Sequence, residues 1–153
     1  MKNMLITALL LASMSCLNAQ TKNNEGLYTD GEGNLFTGKM TTRTELRISE
    51  FEVREGMVEG EVKYYYASGQ LMETGSFVKG QKNDKWTRYS ETGNIEAIAF
   101  YKLGKKSGTW LVYDDKGKKR FEMNYENGEK TGTWTSWDEN GAVASVKDYG
   151  KLN

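Results

Sequence analysis

Thr109-Trp110-Leu111-Val112-Tyr113-Asp114-Asp115-Lys116-Gly117-Lys118, with Gly104-Lys105-Lys106-Ser107-Gly108 before it and Lys119 to Gly132 after it, decides how this chain folds. Thr109 to Tyr113 is aromatic and β-branched, a composition that suits a pleated strand far better than a helix. Asp114 to Lys118 reads as a turn, with Gly117 free to take a positive φ. Arg120 to Tyr125 then sets Phe121, Met123 and Tyr125 at alternate positions, the period of a strand with one apolar face. Glu126 to Gly132 reads as a second turn, after which Trp134 opens the next hairpin. Strand, turn, strand, turn is therefore the unit.

The unit recurs every 24 residues. Gly56, Gly80, Gly104 and Gly128 set the period, and Gly69, Gly93, Gly117 and Gly141 follow at a constant offset. Trp86, Trp110 and Trp134 share a register that Val62 occupies in the first unit. Tyr65, Tyr89, Tyr113 and Trp137 come three residues later, and Phe77, Tyr101, Tyr125 and Tyr149 close each unit. Fixed-period self-similarity marks a repeat architecture whose units contact mainly their neighbours. Antiparallel pairing across the loop between units should bring Phe77 near Trp86, Tyr101 near Trp110, and Tyr125 near Trp134. Each such cross-strand pair contributes roughly 0.2–1 kcal/mol, so a ladder of them can hold hairpins in register.

The organisation that follows is a segment 1–19, a less regular segment 20–55, and four repeats at 56–79, 80–103, 104–127 and 128–151 within 56–153. In the irregular segment, Leu27 to Gly38 looks like a degenerate hairpin. Thr44 to Val53 reads as a strand pair or a bulged strand, because its apolar phase shifts between Ile48 and Phe51. Terminal repeats are often atypical because they cap an exposed end, and 20–55 is expected to be that cap.

The segments Gly104-Lys105-Lys106-Ser107-Gly108-Thr109-Trp110 and Gly128-Glu129-Lys130-Thr131-Gly132-Thr133-Trp134 resemble the MORN repeat variant found in bacterial proteins. In the unit at Gly80, Asp84 replaces the second glycine; the unit at Gly56 keeps Gly60 but has Val62 for tryptophan. The resemblance covers 56–150 well and 26–55 loosely. It implies an all-β chain of tandem antiparallel hairpins forming an elongated, twisted single sheet. Some relatives carry a toxin–antitoxin antitoxin label, and others serve as scaffolds or membrane-associated modules. The motif itself carries no catalytic residue.

The N-terminus carries Lys2, an uncharged apolar run from Met4 to Met14, and then Ser15-Cys16-Leu17-Asn18-Ala19-Gln20. That is the layout of a secretory signal, too short to span a bilayer comfortably. Cleavage after Ala19 would release the protein to the periplasm, cell surface or medium. The alternative is a lipoprotein signal, in which Cys16 is lipidated and anchors the chain to a membrane. Cys16 is the one cysteine, so no internal disulfide is expected.

Composition excludes several function classes. Histidine is absent, which removes a Ser-His-Asp site and the commonest metal ligand. Twenty-one Lys and Arg balance twenty-one Asp and Glu, well interleaved, so no basic stripe points to nucleic acid. Of the carboxylates Asp114, Asp115, Glu45, Glu50, Glu52 and Glu55, the neighbours Asp114 and Asp115 face opposite sides of a strand unless the turn redirects them, and two glutamates need a deep cleft that a thin sheet hardly offers. The expectation is therefore a non-enzymatic protein with no cofactor and no metal.

What remains is a surface. Trp86, Trp110, Trp134, Trp137, Tyr89 and Tyr113 are the candidate binding residues, since aromatics dominate binding hot spots. Against that stands a core role, because the aromatics carry most of the apolar area. The lysine-bearing turns at Gly80, Gly104 and Gly128 could add a weakly basic rim. The leading expectation is an exported scaffold that binds another protein at or beyond the cell envelope. A carbohydrate- or lipid-binding module using the aromatic face is the alternative, and an antitoxin-type protein binder the third.

Overall fold

A computed structural model describes residues 21–151, so the apolar run and Cys16 lie outside the described residues. Every regular element among the described residues is a strand. Short β1 (Thr21–Lys22) and β2 (Tyr28–Thr29) pair with each other. Then come β3 (Gly38–Arg43), β4 (Arg47–Arg54), β5 (Met57–Tyr66), β6 (Leu71–Val78), β7 (Gln81–Tyr89) and β8 (Ile95–Lys102). The chain ends with β9 (Lys105–Lys106), β10 (Gly108–Tyr113), β11 (Lys119–Glu126), β12 (Glu129–Trp137) and β13 (Val143–Asp148). From β3 onward each strand pairs antiparallel with the next, β9 and β10 both joining β8, in one 11-stranded sheet whose edges are β3 and β13. It is an open, tandem-hairpin sheet, as the repeat requires. Strand spacing of about 4.8 Å makes it roughly 45 Å long across the strands.

Two kinds of turn alternate along the sheet. Within a unit, a polar residue holds the loop with its own side chain: Asp114 Oδ1 accepts from the backbone N–H groups of Lys116 and Lys118, and Asp138 Oδ1 does the same for Asn140 and Ala142. The glycine column of these loops sits at φ 88°, 75° and 87° for Gly93, Gly117 and Gly141. Between units the turn is only two residues. Glu55-Gly56, Lys79-Gly80, Leu103-Gly104 and Asn127-Gly128 all have positive φ at both positions, the tight hairpin geometry whose twist matches its strands. This corrects the expected second turn: Glu129 to Gly132 belongs to β12, and only Asn127-Gly128 turns the chain. Each inter-unit turn is tied to the preceding unit by a backbone bond, from Gly80 N to Val58 O, Gly104 N to Lys82 O and Gly128 N to Lys106 O.

The second glycine of the motif sits beside a register shift in the inter-unit hairpin, opposite Phe51/Glu52, Thr74/Ser76 and Glu122/Asn124 in β4, β6 and β11. Gly60, Gly108 and Gly132 have φ of 77°, 65° and 55° there, and Asp84 has 57°. Aspartate tolerates this left-handed region better than most residues, so the backbone pattern continues through Asp84.

The segment before Gly56 departs from expectation. Residues 28–36 do form a small hairpin, closed by the Thr29–Leu35 bridge and by Phe36 N to Tyr28 O. Thr44 to Val53 is neither a strand pair nor a bulged strand: 44–46 lie between strands, and β4 runs unbroken from Arg47. The phase change arises because Ile48 faces Tyr65 on one side of the sheet while Phe51 faces Val62 on the other. The extra residues are on β5, around Gly60, not on β4. This segment also supplies Met40, Phe51 and Val53 to a buried cluster completed by Val62 and Trp86, with Tyr28 and Phe36 packed against it. The departure at Val62 is therefore a core position.

Candidate interaction surface

The aromatic columns form two separate features. On one face the rings make a continuous ladder: Phe77–Trp86, Trp86–Tyr101, Tyr101–Trp110, Trp110–Tyr125, Tyr125–Trp134 and Trp134–Tyr149, with centroids 4.9–6.3 Å apart in tilted or edge contacts. The three pairs expected across the loops are all present. Counting alternation from Trp86, Trp110 and Trp134, the residues three further on, Tyr89, Tyr113 and Trp137, fall on the opposite face. The six candidate binding residues are thus divided three and three between the two faces.

Burial along the ladder is graded. Trp86 is 1% exposed, whereas Trp110 and Trp134 are half-buried. The cause lies on the neighbouring strands. A side-chain carbon on Gly75 would come within 2.2 Å of the Trp86 ring, so the indole lies flat on a bare stretch of backbone. Ala99 pairs with Trp86 on the other side. At the same offset the later units carry the larger Met123 and Lys147. Trp110 and Trp134 donate their indole N–H to the carbonyls of Phe100 and Asn124, each at 2.9 Å; the buried Nε1 of Trp86 has no partner.

A column of lysines, Lys82, Lys106 and Lys130, covers this ladder. Their ammonium groups stand 3.6, 4.5 and 4.5 Å from the centroids of Trp86, Trp110 and Trp134, and 5.3, 4.8 and 5.1 Å from those of Tyr101, Tyr125 and Tyr149. Such contacts contribute about 0.5–1 kcal/mol each at exposed sites. Lys82, Lys106 and Lys130 are thus ladder components, while Lys105 of the same turns is exposed. Their 24-residue spacing was visible in the sequence, but nothing there says that the side chain reaches across to a ring. Burial raises the phenol pKa of Tyr64, Tyr101 and Tyr125 above the usual value.

The opposite face changes character along its length. Towards β3 it is charged: Lys39, Thr41, Glu50, Glu52, Glu61 and Lys63 line a shallow hollow of about 360 Å³. Towards β13 it carries Leu111 and Trp137, with Ile95, Val143 and Val146 all exposed. Trp137 is half-buried beneath the Lys119 ammonium, 4.4 Å from its centroid, and Lys119 also pairs with Glu122 at 2.6 Å.

Three of the carboxylates considered for chemistry, Glu50, Glu52 and Asp114, have structural partners. Glu50 accepts from the Tyr65 hydroxyl at 2.9 Å, and Glu52 pairs with Lys39 at 3.7 Å. Backbone N–H bonds, the one from Lys118 foremost, hold the Asp114 carboxyl below the usual range. Among the described residues no three His, Cys, Asp or Glu are grouped as a metal site, and no helix is long and apolar enough to cross a membrane.

The family model for the MORN repeat variant matches residues 58–79, 85–103, 106–127 and 130–149. Repeats of this kind are generally protein- or membrane-interaction modules. No curated protein matches the chain. Among solved structures it is similar to a chain of the crystal structure of the GtfA/B complex bound to UDP and GlcNAc, at 16% identity and a TM-score of 0.31. That match covers 78% of this chain and 28% of the other, so this chain spans little more than a quarter of its length.

Proposed function

Because the chain belongs to the MORN repeat variant family, we propose that it is a non-enzymatic scaffold, exported from the cytoplasm, that binds another protein at the cell envelope or outside the cell. The observation that carries this reading is the separation of the aromatic columns. Trp86, Trp110 and Trp134 are engaged in packing and covered by lysines. Tyr89, Tyr113 and Trp137 repeat at the same interval on the other face, half-buried, with exposed Ile95 and Val143 paired to Tyr89 and Trp137. Aromatic groups of intermediate exposure among apolar neighbours are the usual anchors of a protein interface. Export rests on the apolar run from Met4 to Met14.

Cross-linking in intact cells followed by fractionation tests this directly. A reproducible protein partner in the envelope or external fraction, lost on Tyr113→Ala with Trp137→Ala, is expected. Recovery of the chain solely in the cytoplasm, or of no reproducible partner, would contradict it. The glycan or lipid reading needs free tryptophan faces, and Lys106 and Lys130 stand over those faces. A tryptophan fluorescence change on adding envelope glycans or anionic vesicles would restore that reading.

A further inference from the structure

The ladder repeats one contact at every step. Each closing aromatic is met by the tryptophan of the next strand: Phe77 by Trp86, Tyr101 by Trp110, Tyr125 by Trp134. Tyr149 has Trp134 on one side and, among the described residues, no following tryptophan. Instead the Lys147 ammonium lies 4.9 Å from its centroid. Beside it Trp134, Phe121, Met123 and Ser145 bound a hollow of about 200 Å³ on the ladder face. The strand that carries Lys147, β13, is the sheet edge, and all six of its residues are exposed. In an antiparallel edge strand, half the backbone N–H and C=O groups point away from the sheet and await a strand partner.

We propose that β13 is a strand-addition site for an extended segment of a partner protein, which pairs antiparallel to Val143–Asp148 and sets an aromatic side chain against Tyr149. The repeat itself gives the register. Extending the Thr74–Thr87 and Leu111–Ile98 pairs by one residue sets Trp86 opposite Gly75 and Trp110 opposite Ala99, each two before the closing aromatic of its strand pair. The incoming aromatic therefore falls opposite Lys147, and a neighbouring carboxylate on the segment would pair with the displaced ammonium. Backbone bonds supply affinity in this mode, and the pocket selects the side chain.

This inference rests on the protein-binding reading above and adds to that face a second, edge site on the ladder side. The test uses the full chain and a peptide of the repeat's own incoming strand, residues 129–137 (Glu129 to Trp137), followed by amide hydrogen exchange and fluorescence titration. Saturable binding is expected, with new protection confined to 143–150. Trp134→Ala in the peptide, or Val146→Lys in the protein at an exposed position that leaves the fold intact, should weaken binding at least about tenfold. Absence of binding, or binding unaffected by both changes, would overturn the proposal. So would concentration-dependent self-association of the protein alone that Val146→Lys abolishes, since the edge would then belong to a second copy. A cross-linked partner retained by Val146→Lys would overturn the edge site while leaving the protein-binding reading intact; absence of any cellular partner would remove that reading while the peptide titration still reports on the edge.

Discussion

The repeat at 80–103 and the repeat at 128–151 hold the same motif and use it differently. Trp86 is sealed, flat against Gly75 and beside Ala99, with Lys82 over its ring at 3.6 Å. Trp134 is half-exposed above Met123 and Lys147, with its indole N–H satisfied and Lys130 at 4.5 Å. A motif position does not decide burial in a single-layer sheet. The side chains on the two flanking strands do, and they grow from glycine and alanine at one end to methionine and lysine at the other.

The largest expected effect is on stability. Trp86→Ala empties the best-packed site of the sheet and should cost about 3–5 kcal/mol, while Trp134→Ala should cost roughly 2 kcal/mol, both read from denaturant midpoints. Equal losses at the two sites would mean that the flanking side chains do not set burial. Next, Gly75→Ala places a methyl group where the Trp86 ring lies and should cost about 1–3 kcal/mol, with a changed near-ultraviolet dichroism signal as the indole is displaced. A neutral result would mean that the glycine does not set the ring's depth.

Lysine substitutions probe a smaller term. Lys130→Met should cost about 0.5–1 kcal/mol. Lys82→Met should cost more, because Lys82 also pairs with Glu73 at 3.4 Å, both side chains being largely covered. The reverse order would place the value of these lysines elsewhere than on the rings. The smallest effect near neutrality is protonic. Burial raises the phenols of Tyr64, Tyr101 and Tyr125 above their unfolded value near 10. Their contribution is intact below that pH and is lost as the pH rises through the raised values, because the unfolded state then releases protons that the folded state retains. Tyrosinate absorbance should therefore rise late for these residues and together with unfolding.

Much of this was legible in the amino-acid order. The 24-residue interval gave the hairpins, and the distance from Tyr101 to Trp110 and from Tyr125 to Trp134 gave the ladder pairs. The short inter-unit turns were not legible, since only Asn127-Gly128 has the usual residues for that geometry; Glu55, Lys79 and Leu103 adopt it because the repeat demands it. Gly75 looked like one small residue within a strand, and its role depends on a ring eleven positions away on the next strand. The lysine column was periodic but silent about its reach. The split of the six candidate aromatics between two faces followed from strand alternation alone, once the strands ran unbroken from tryptophan to tyrosine.

Graded burial of one repeated residue can be tested without altering the protein. The indole N–H resonances of Trp86, Trp110, Trp134 and Trp137 can be followed while a soluble paramagnetic agent is added. The Trp86 resonance should stay sharp while those of Trp110 and Trp134 broaden progressively. Broadening of Trp86 to the same degree as Trp134 would contradict the account.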